Sequence, residues 1–267
     1  MLTKILQIIG LLSFVIFCVT IVIIFPPDNQ IEISSPIIIT NSNVTVSDAQ
    51  INLKNKSDCP VLIIGLESGI SISNIVISNI SIDGNRDNQT KELWKTSKFG
   101  LINNDGILIQ NVRDIILTNI VIRNCKSGGL VTTLGVKNLS VYNLTSINNE
   151  YDGIALYKTT DSIFKNLILR NNISAAISLD NSFNFNIFSN CLIIKNNTSI
   201  FMRNCESNQF FRLFLSGNQH DIFIAQVNAD TNTGSSFNVF DLKSSTASII
   251  VNNKSCISNT ITIDKNW

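Results

Sequence analysis

Gly106–Gln110 reads GILIQ, and the same phrase of sequence returns as GLVTT from Gly129, GIALY from Gly153, AISLD from Ala176, SIFMR from Ser199, DIFIA from Asp221 and SIIVN from Ser248. The successive starts are 23, 24, 23, 23, 22 and 27 residues apart. A fixed period of this size marks a solenoid, in which each repeat packs only on its neighbours. Position +1 of the phrase is Ile107, Leu130, Ile154, Ile177, Ile200, Ile222 and Ile249; position +3 is Ile109, Thr132, Leu156, Leu179, Met202, Ile224 and Val251. Period-2 alternation puts both columns on one face, and a face of this composition is a core. The second half of each repeat alternates too, as in IILTNIVIRN from Ile115 and SIFKNLILRN from Ser162. No 3.6-residue pattern separates these short runs, so there is no room for a crossover helix. Each repeat therefore reads as one coil of parallel β-structure, made of short strands and turns.

Asparagine punctuates the coils. Asn119, Asn143, Asn166 and Asn190 recur at steps of 24, 23 and 24, and Asn79, Asn124, Asn148, Asn171 and Asn196 form a second, looser series. Equivalent residues of stacked coils lie roughly 4.8 Å apart. A side-chain amide carries both donor and acceptor, so such columns are expected to form hydrogen-bonded ladders at the turns.

The strings DGILIQN…DIILTNIVIRN and YDGIALYKTTDSIFKNLILRNN resemble the right-handed parallel β-helix repeats of the pectin-lyase-like superfamily. DGNRDNQ, Asp83 to Gln89, resembles a motif met early in its bacterial and viral members. The resemblance covers roughly Val44 to Ile263 and implies an all-β, single-stranded right-handed parallel β-helix of about eight or nine coils. It leaves the activity open, because the superfamily holds lyases, epimerases, hydrolases, tailspikes, adhesins and proteins without known chemistry.

Composition narrows the partners. Among 267 residues only 15% are charged and the net charge is +1, so no basic stripe argues for nucleic acid. Ile5 to Phe25 is an uncharged run of 21 residues, long enough to span a bilayer as a helix. No small-x-small cleavage site follows it, and Lys4 before with Asp28 and Glu32 after places the N-terminus in the cytoplasm. Residues 1–30 are thus expected to be a signal anchor, with a cleaved signal or a buried helix as alternatives, and residues 31–267 the β-helix domain. The domain would be membrane-anchored and extracytoplasmic, or secreted. Its cysteines, Cys59, Cys125, Cys191, Cys205 and Cys256, show no metal-type spacing and read as structural thiols.

One segment breaks the register. Residues 83–104, DGNRDNQTKELWKTSKFGLINN, are polar and lack alternating strands. They read as an insertion with a short helix around Lys91 to Ser97, in which Arg86, Asp87 and Trp94 wall a substrate groove. The plainer reading is a loop that covers apolar surface.

Chemistry is expected on the outer face of the repeat-start strands. Position +4 brings Tyr157, Asp180 and Arg203 from three consecutive coils, followed by Lys158, Asn181 and Asn204. For β-elimination or epimerisation of a uronate, Tyr157 or Lys158 would serve as base or acid. Arg203 would neutralise the substrate carboxylate and Asp180 would orient it, with Asn181 and Asn204 in contact with substrate. The plainer reading is an Asp180–Arg203 ion pair between coils. Asp105 and Asp152 share a phase two coils apart, roughly 9.6 Å, which leaves an inverting carboxylate pair geometrically open beside ordinary turn chemistry. Asn103-Asn104-Asp105-Gly106 is faintly similar to a polygalacturonase segment, but Ser127-Gly128-Gly129 stands where the acid pair would follow. The only histidine, His220, lies in Asn-Gln-His-Asp and reads as a surface turn residue. No metal or other cofactor is expected.

Position +2 also faces out and reads Leu108, Val131, Ala155, Ser178, Phe201, Phe223 and Ile250. So apolar an outer row suits a sugar-stacking floor or a docking surface, with Phe201, Phe223 and Ile250 as the patch for a partner or a second copy. Two classes of function follow. One is a polysaccharide-active enzyme, a uronate lyase or epimerase. The other is a non-catalytic structural or adhesive β-helix that binds glycans or protein partners.

Overall fold

The computed structural model describes residues 20–24, 30–67, 70–90, 104–225, 234–244, 248–251, 256 and 258–265. The repeat starts form a nine-stranded parallel sheet that includes Ile107–Gln110, Leu130–Thr133, Ile154–Tyr157, Ala175–Asp180, Thr198–Met202, His220–Ile224 and Ile249–Val251. Its register is the sequence period: Leu130 pairs with Ile107 and Ile154, Ile177 with Ile154 and Ile200, and Ile222 with Ile200 and Ile249. The second halves of the repeats form a fifteen-stranded parallel sheet around longer strands such as Ile72–Asp83, Val112–Arg123 and Val136–Ile147. The described residues thus form an all-β parallel solenoid with nine rungs in its short-strand sheet.

The core follows from the alternation. Ile107, Ile154, Ile177, Ile200 and Ile222 at position +1, and Ile109, Leu156, Leu179, Met202 and Ile224 at +3, are completely buried. Thr132 is the polar exception at +3; its hydroxyl shares a 2.6 Å hydrogen bond with that of Thr159. On the opposite side of the core, Phe164, Phe188, Phe210 and Phe240 stack face to face at centroid distances of 4.5, 5.1 and 4.5 Å. Each ring buries its faces on the next coil, which adds stacking to the apolar burial.

Asparagine forms more ladders than the spacing suggests. Asn119, Asn143, Asn166 and Asn190 take φ of 55, 56, 59 and 55° at a corner of the coil. Asparagine tolerates that left-handed backbone, and each amide donates to the carbonyl oxygen of the preceding one, with Asn119 donating to Asn79. The second series divides. Asn171 donates to Asn148 in an exposed pair, whereas Asn196 belongs to a buried ladder, Asn149–Asn172–Asn196–Asn218. A further ladder runs Asn186–Asn208–Asn238–Asn259. In both inner ladders one amide oxygen accepts the neighbour's backbone N–H and side-chain N–H, so buried turn donors are satisfied coil by coil.

One expectation at the margins changes. The apolar helix does not extend through residue 24: Ile21–Ile24 is a strand in parallel register with Val44–Ser47. The physical reason is supply of partners, since β-branched residues beside an open strand edge gain a full ladder of backbone bonds. Among the described residues, β-structure is thus already present upstream of residue 31. The rest of the expected anchor, residues 1–19 and 25–29, lies outside the described residues, and among the described residues no helix is long and apolar enough to cross a membrane. At the other break, Ile72–Asp83 pairs directly with Val112–Arg123, and Leu62–Ile64 with Ile107–Gln110. Of the expected insertion, Gly84 and Arg86 stack on the next coil through backbone bonds to Arg123 O and Asn124 O, and residues 91–103 lie outside the described residues.

Candidate functional site

A groove of about 540 Å³ runs along the outer face of the short-strand sheet. Four columns of the repeat build it, one of them, two residues before each phrase, being Ser127, Tyr151, Ser174 and Asn197. One wall is the residue preceding each phrase: Asp105, Gly128, Asp152, Ala175, Thr198 and His220. The floor is position +2, with Val131, Ala155, Ser178, Phe201 and Phe223. The other wall is position +4, with Tyr157, Asp180 and Arg203. From the rung of Asp105 to that of Phe223 is five steps, about 24 Å at the parallel strand spacing.

The +4 wall is tied together across rungs. Tyr157 and Asp180 are register partners. The Asp180 carboxylate is almost fully buried, and its Oδ2 accepts from Nε of Arg203 at 2.8 Å and from the guanidinium Nη2 as well. Its Oδ1 accepts the backbone N–H of Asn181 at 2.7 Å. The guanidinium that lines the groove is thus committed to a protein carboxylate. Burial pushes the Tyr157 phenol well above its ordinary range, reinforced by the carboxylates of Asp152, Asp180 and Asp105 and opposed by Arg203. The Tyr157 hydroxyl therefore stays protonated at neutral pH.

The opposite wall holds two carboxylates two rungs apart with Gly128 between them, so no side chain separates them. Asp105 Oδ1 accepts from Gly128 N at 2.9 Å, and Asp152 Oδ1 from Ala175 N at 2.8 Å; each ties down the turn one coil on. Burial raises Asp152 from 3.8 to about 6, although hydrogen bonds from Ala175, Ser174 and Ser178 hold it down. A carboxyl that titrates near neutrality in a groove is equipped for proton transfer.

The floor changes character along its length. Leu108, Val131 and Ala155 are buried with Ile63 in a second small apolar cluster, against which Tyr157 packs. This part of the outer row is not an exposed stripe. Two rungs further on, Phe201 and Phe223 lie stacked, with centroids 5.7 Å apart and ring planes within 10°. Ile250 pairs in register with Phe223 but does not line the groove.

Several expected contacts lie elsewhere. Lys158, Asn181 and Asn204 occupy the corner that ends each short strand, with φ of 48, 52 and 54°, and do not line the groove. The turn at that corner carries them off the sheet face. Arg86 and Asp87 belong to a short 3-10 turn, Arg86–Asn88, outside the groove. The Arg86 guanidinium donates to the Asn148 carbonyl at 2.9 Å and lies 3.0 and 3.6 Å from Asp87 and Glu150. The DGNRDNQ motif as a whole is a staple. Asp83 accepts from Arg123 and Asn124, Asn85 donates to Leu53 O and Asn55, and Gln89 binds the Lys54–Asp58 turn. Trp94 and the expected helix at 91–97 lie outside the described residues.

Sequence reasoning missed Ser174, Asn197, Thr198 and His220 as groove residues. The signal was present one residue before each phrase, in the column where Asp105 and Asp152 were noticed. Counting from there places Thr198 and His220, register partners, on the same wall.

The fold recurs in solved structures of low sequence identity. The N-terminal fragment of bacteriophage phi29 gene product 12 is similar at 11% identity and TM-score 0.67, over 89% of this chain and 52% of that one. PfbA, a surface adhesin of Streptococcus pneumoniae, is similar at 11% identity and TM-score 0.61, over 92% and 72%. A double mutant of the periplasmic alginate epimerase AlgG is similar at 11% identity and TM-score 0.59, over 88% and 72%. The chain spans about half the length of the phage fragment and of the Geobacillus virus E2 ORF18 chain, 52% and 53%. No curated protein sequence matches it. Residues 28–210 match the family described as the right handed beta helix region, and with its repeat, register and stacked coils the chain belongs to that family.

Proposed function

We propose that this is an extracytoplasmic β-helix protein that contacts a polysaccharide along the groove of its short-strand sheet. The observation that carries the reading is the groove's make-up over about 24 Å: a stacked Phe201–Phe223 pair at one end, and hydroxyl, carboxyl and phenol groups along both walls. Sugars offer the complement, with apolar ring faces and hydroxyl edges, and a groove of this length accommodates several in a row. An adhesin and a polysaccharide epimerase among the similar folds accord with such a surface and such a location. The best-supported form of the reading is binding, because Arg203 is occupied by Asp180 and Lys158 stands outside the groove.

A second reading, catalysis, is favoured by Asp152 and Tyr157. One carboxyl titrates near pH 6 and one phenol stays protonated, which is an acid–base couple of unequal strength on facing walls. Titrating the full chain against a panel of neutral, acidic and amine-bearing polysaccharides, with product analysis of the same mixtures, separates the two. Binding without new chain ends or unsaturated products leaves the binding reading. Absence of binding across the panel refutes both.

A further inference from the structure

Resting on the polysaccharide reading, the charge and shape of the groove narrow the class of sugar. Among the described residues the lining holds three carboxylates, Asp105, Asp152 and Asp180, against one guanidinium, Arg203, and one imidazole, His220. Arg203 gives two N–H groups to Asp180, so its charge is already met by a nearly buried carboxylate. A uronate entering here would have to displace that pairing or lie against carboxylates, and like charges in a partly desolvated groove repel.

The acidic wall is also shaped to receive a donor. Asp152 has its Oδ1 occupied by Ala175 N, and the serines at 174 and 178 steady it, but among the described residues no Lys or Arg forms an ion pair with it. Beside it the Gly128 position leaves the wall without a side chain, and Ala155 keeps the floor low. Two and three rungs away the mutually stacked rings of Phe201 and Phe223 supply an apolar patch that begins about 9.6 Å further along the axis. A sugar seated on that patch places another sugar of the same oligomer, not the same one, beside Asp152.

We propose that the groove takes an oligosaccharide whose sugars carry free amines, in preference to a uronate, with one ring over Phe201 and Phe223 and the ammonium of a neighbouring sugar on Asp152. A charge-assisted hydrogen bond between ammonium and carboxylate is the element that selects the amine over its acetylated form.

The test is calorimetric titration of the full chain at pH 7.5 with three probes: a glucosamine hexamer, its fully N-acetylated counterpart and an oligogalacturonate of equal length. The expected order places the free amine first and the uronate last. Asp152→Asn should weaken the glucosamine hexamer by about tenfold and leave the acetylated hexamer unchanged. Phe201→Ala should weaken both hexamers. Tighter binding of the oligogalacturonate, or equal glucosamine affinity in the Asp152→Asn protein, overturns the amine assignment while leaving the polysaccharide reading intact. Failure of all three probes to bind overturns the two together.

Discussion

The near-neutral Asp152 carboxyl makes a prediction about stability that needs no ligand. In the fold its ordinary value of 3.8 is raised to about 6 by burial, so folding favours its protonated form. A group raised in this way supports the fold fully below about pH 4 and withdraws that support as the pH climbs through about 6. The difference of about 2 units corresponds to about 3 kcal/mol, and solvent at the groove mouth brings the expected range down to about 1–3 kcal/mol. Asp152→Asn keeps an oxygen for Ala175 N and removes the charge. The variant should match the parent near pH 3.5 and exceed it by that margin at pH 8. Reversible urea unfolding of both proteins across pH 3.5–8, read as midpoints with unchanged slopes, measures the gap. A gap that does not vary with pH, or a variant less stable at pH 8, refutes the account of Asp152.

The inner ladder should be far less tolerant than the outer one. Asn172 accepts from the backbone and side chain of Asn149 and donates to Ser146 O and Asn196; Asn172→Asp keeps the acceptors, loses both donors and should cost about 3 kcal/mol or more in urea unfolding, against less than about 1 kcal/mol for Asn143→Asp on the exposed corner. Arg203→Ala strands the buried Asp180 carboxylate and should destabilise by about 2 kcal/mol, most of it recovered in an Asp180→Asn, Arg203→Ala double variant; no recovery would mean that the pair does not act as a unit. Gly129→Ala brings a methyl group against Ser146 Oγ and the Gly153 carbonyl oxygen in the coil interior, and should lower the thermal midpoint by several degrees relative to Gly135→Ala after each is corrected for its backbone φ, because nothing lies near a Cβ at residue 135.

The fold was legible because its information is periodic. A residue such as Ile177 is buried by Ile154 and Ile200, both at the same phase, so reading one repeat read them all. The break in the repeat was legible for the complementary reason, as loss of that phase. The groove was legible only in part. Tyr157, Asp180 and Arg203 emerged from column counting, with an Asp180–Arg203 ion pair as the plain alternative. Lys158, Asn181 and Asn204 misled because a turn, at φ near 50°, intervenes between them and the wall, and strand alternation cannot report where a strand stops. His220 was discounted on its neighbours in sequence, whereas its surroundings are set by the coils above and below it. Arg86 looked like a groove residue because it is a charged residue in an insertion. Its bonds to Asn148 and Glu150 are long-range closures that no local pattern announces.

The wall and floor residues of the groove come one per coil, and this makes the surface a ruler. Displayed groups sit at tick marks about 4.8 Å apart, fixed by backbone pairing and indifferent to side-chain identity. A substitution changes what is shown at a tick, never where the tick stands. A polymer whose own repeat is incommensurate with that spacing meets the marks only at intervals, like the two scales of a vernier. Binding strength should then rise in steps with polymer length, each step arriving when another unit falls on a mark.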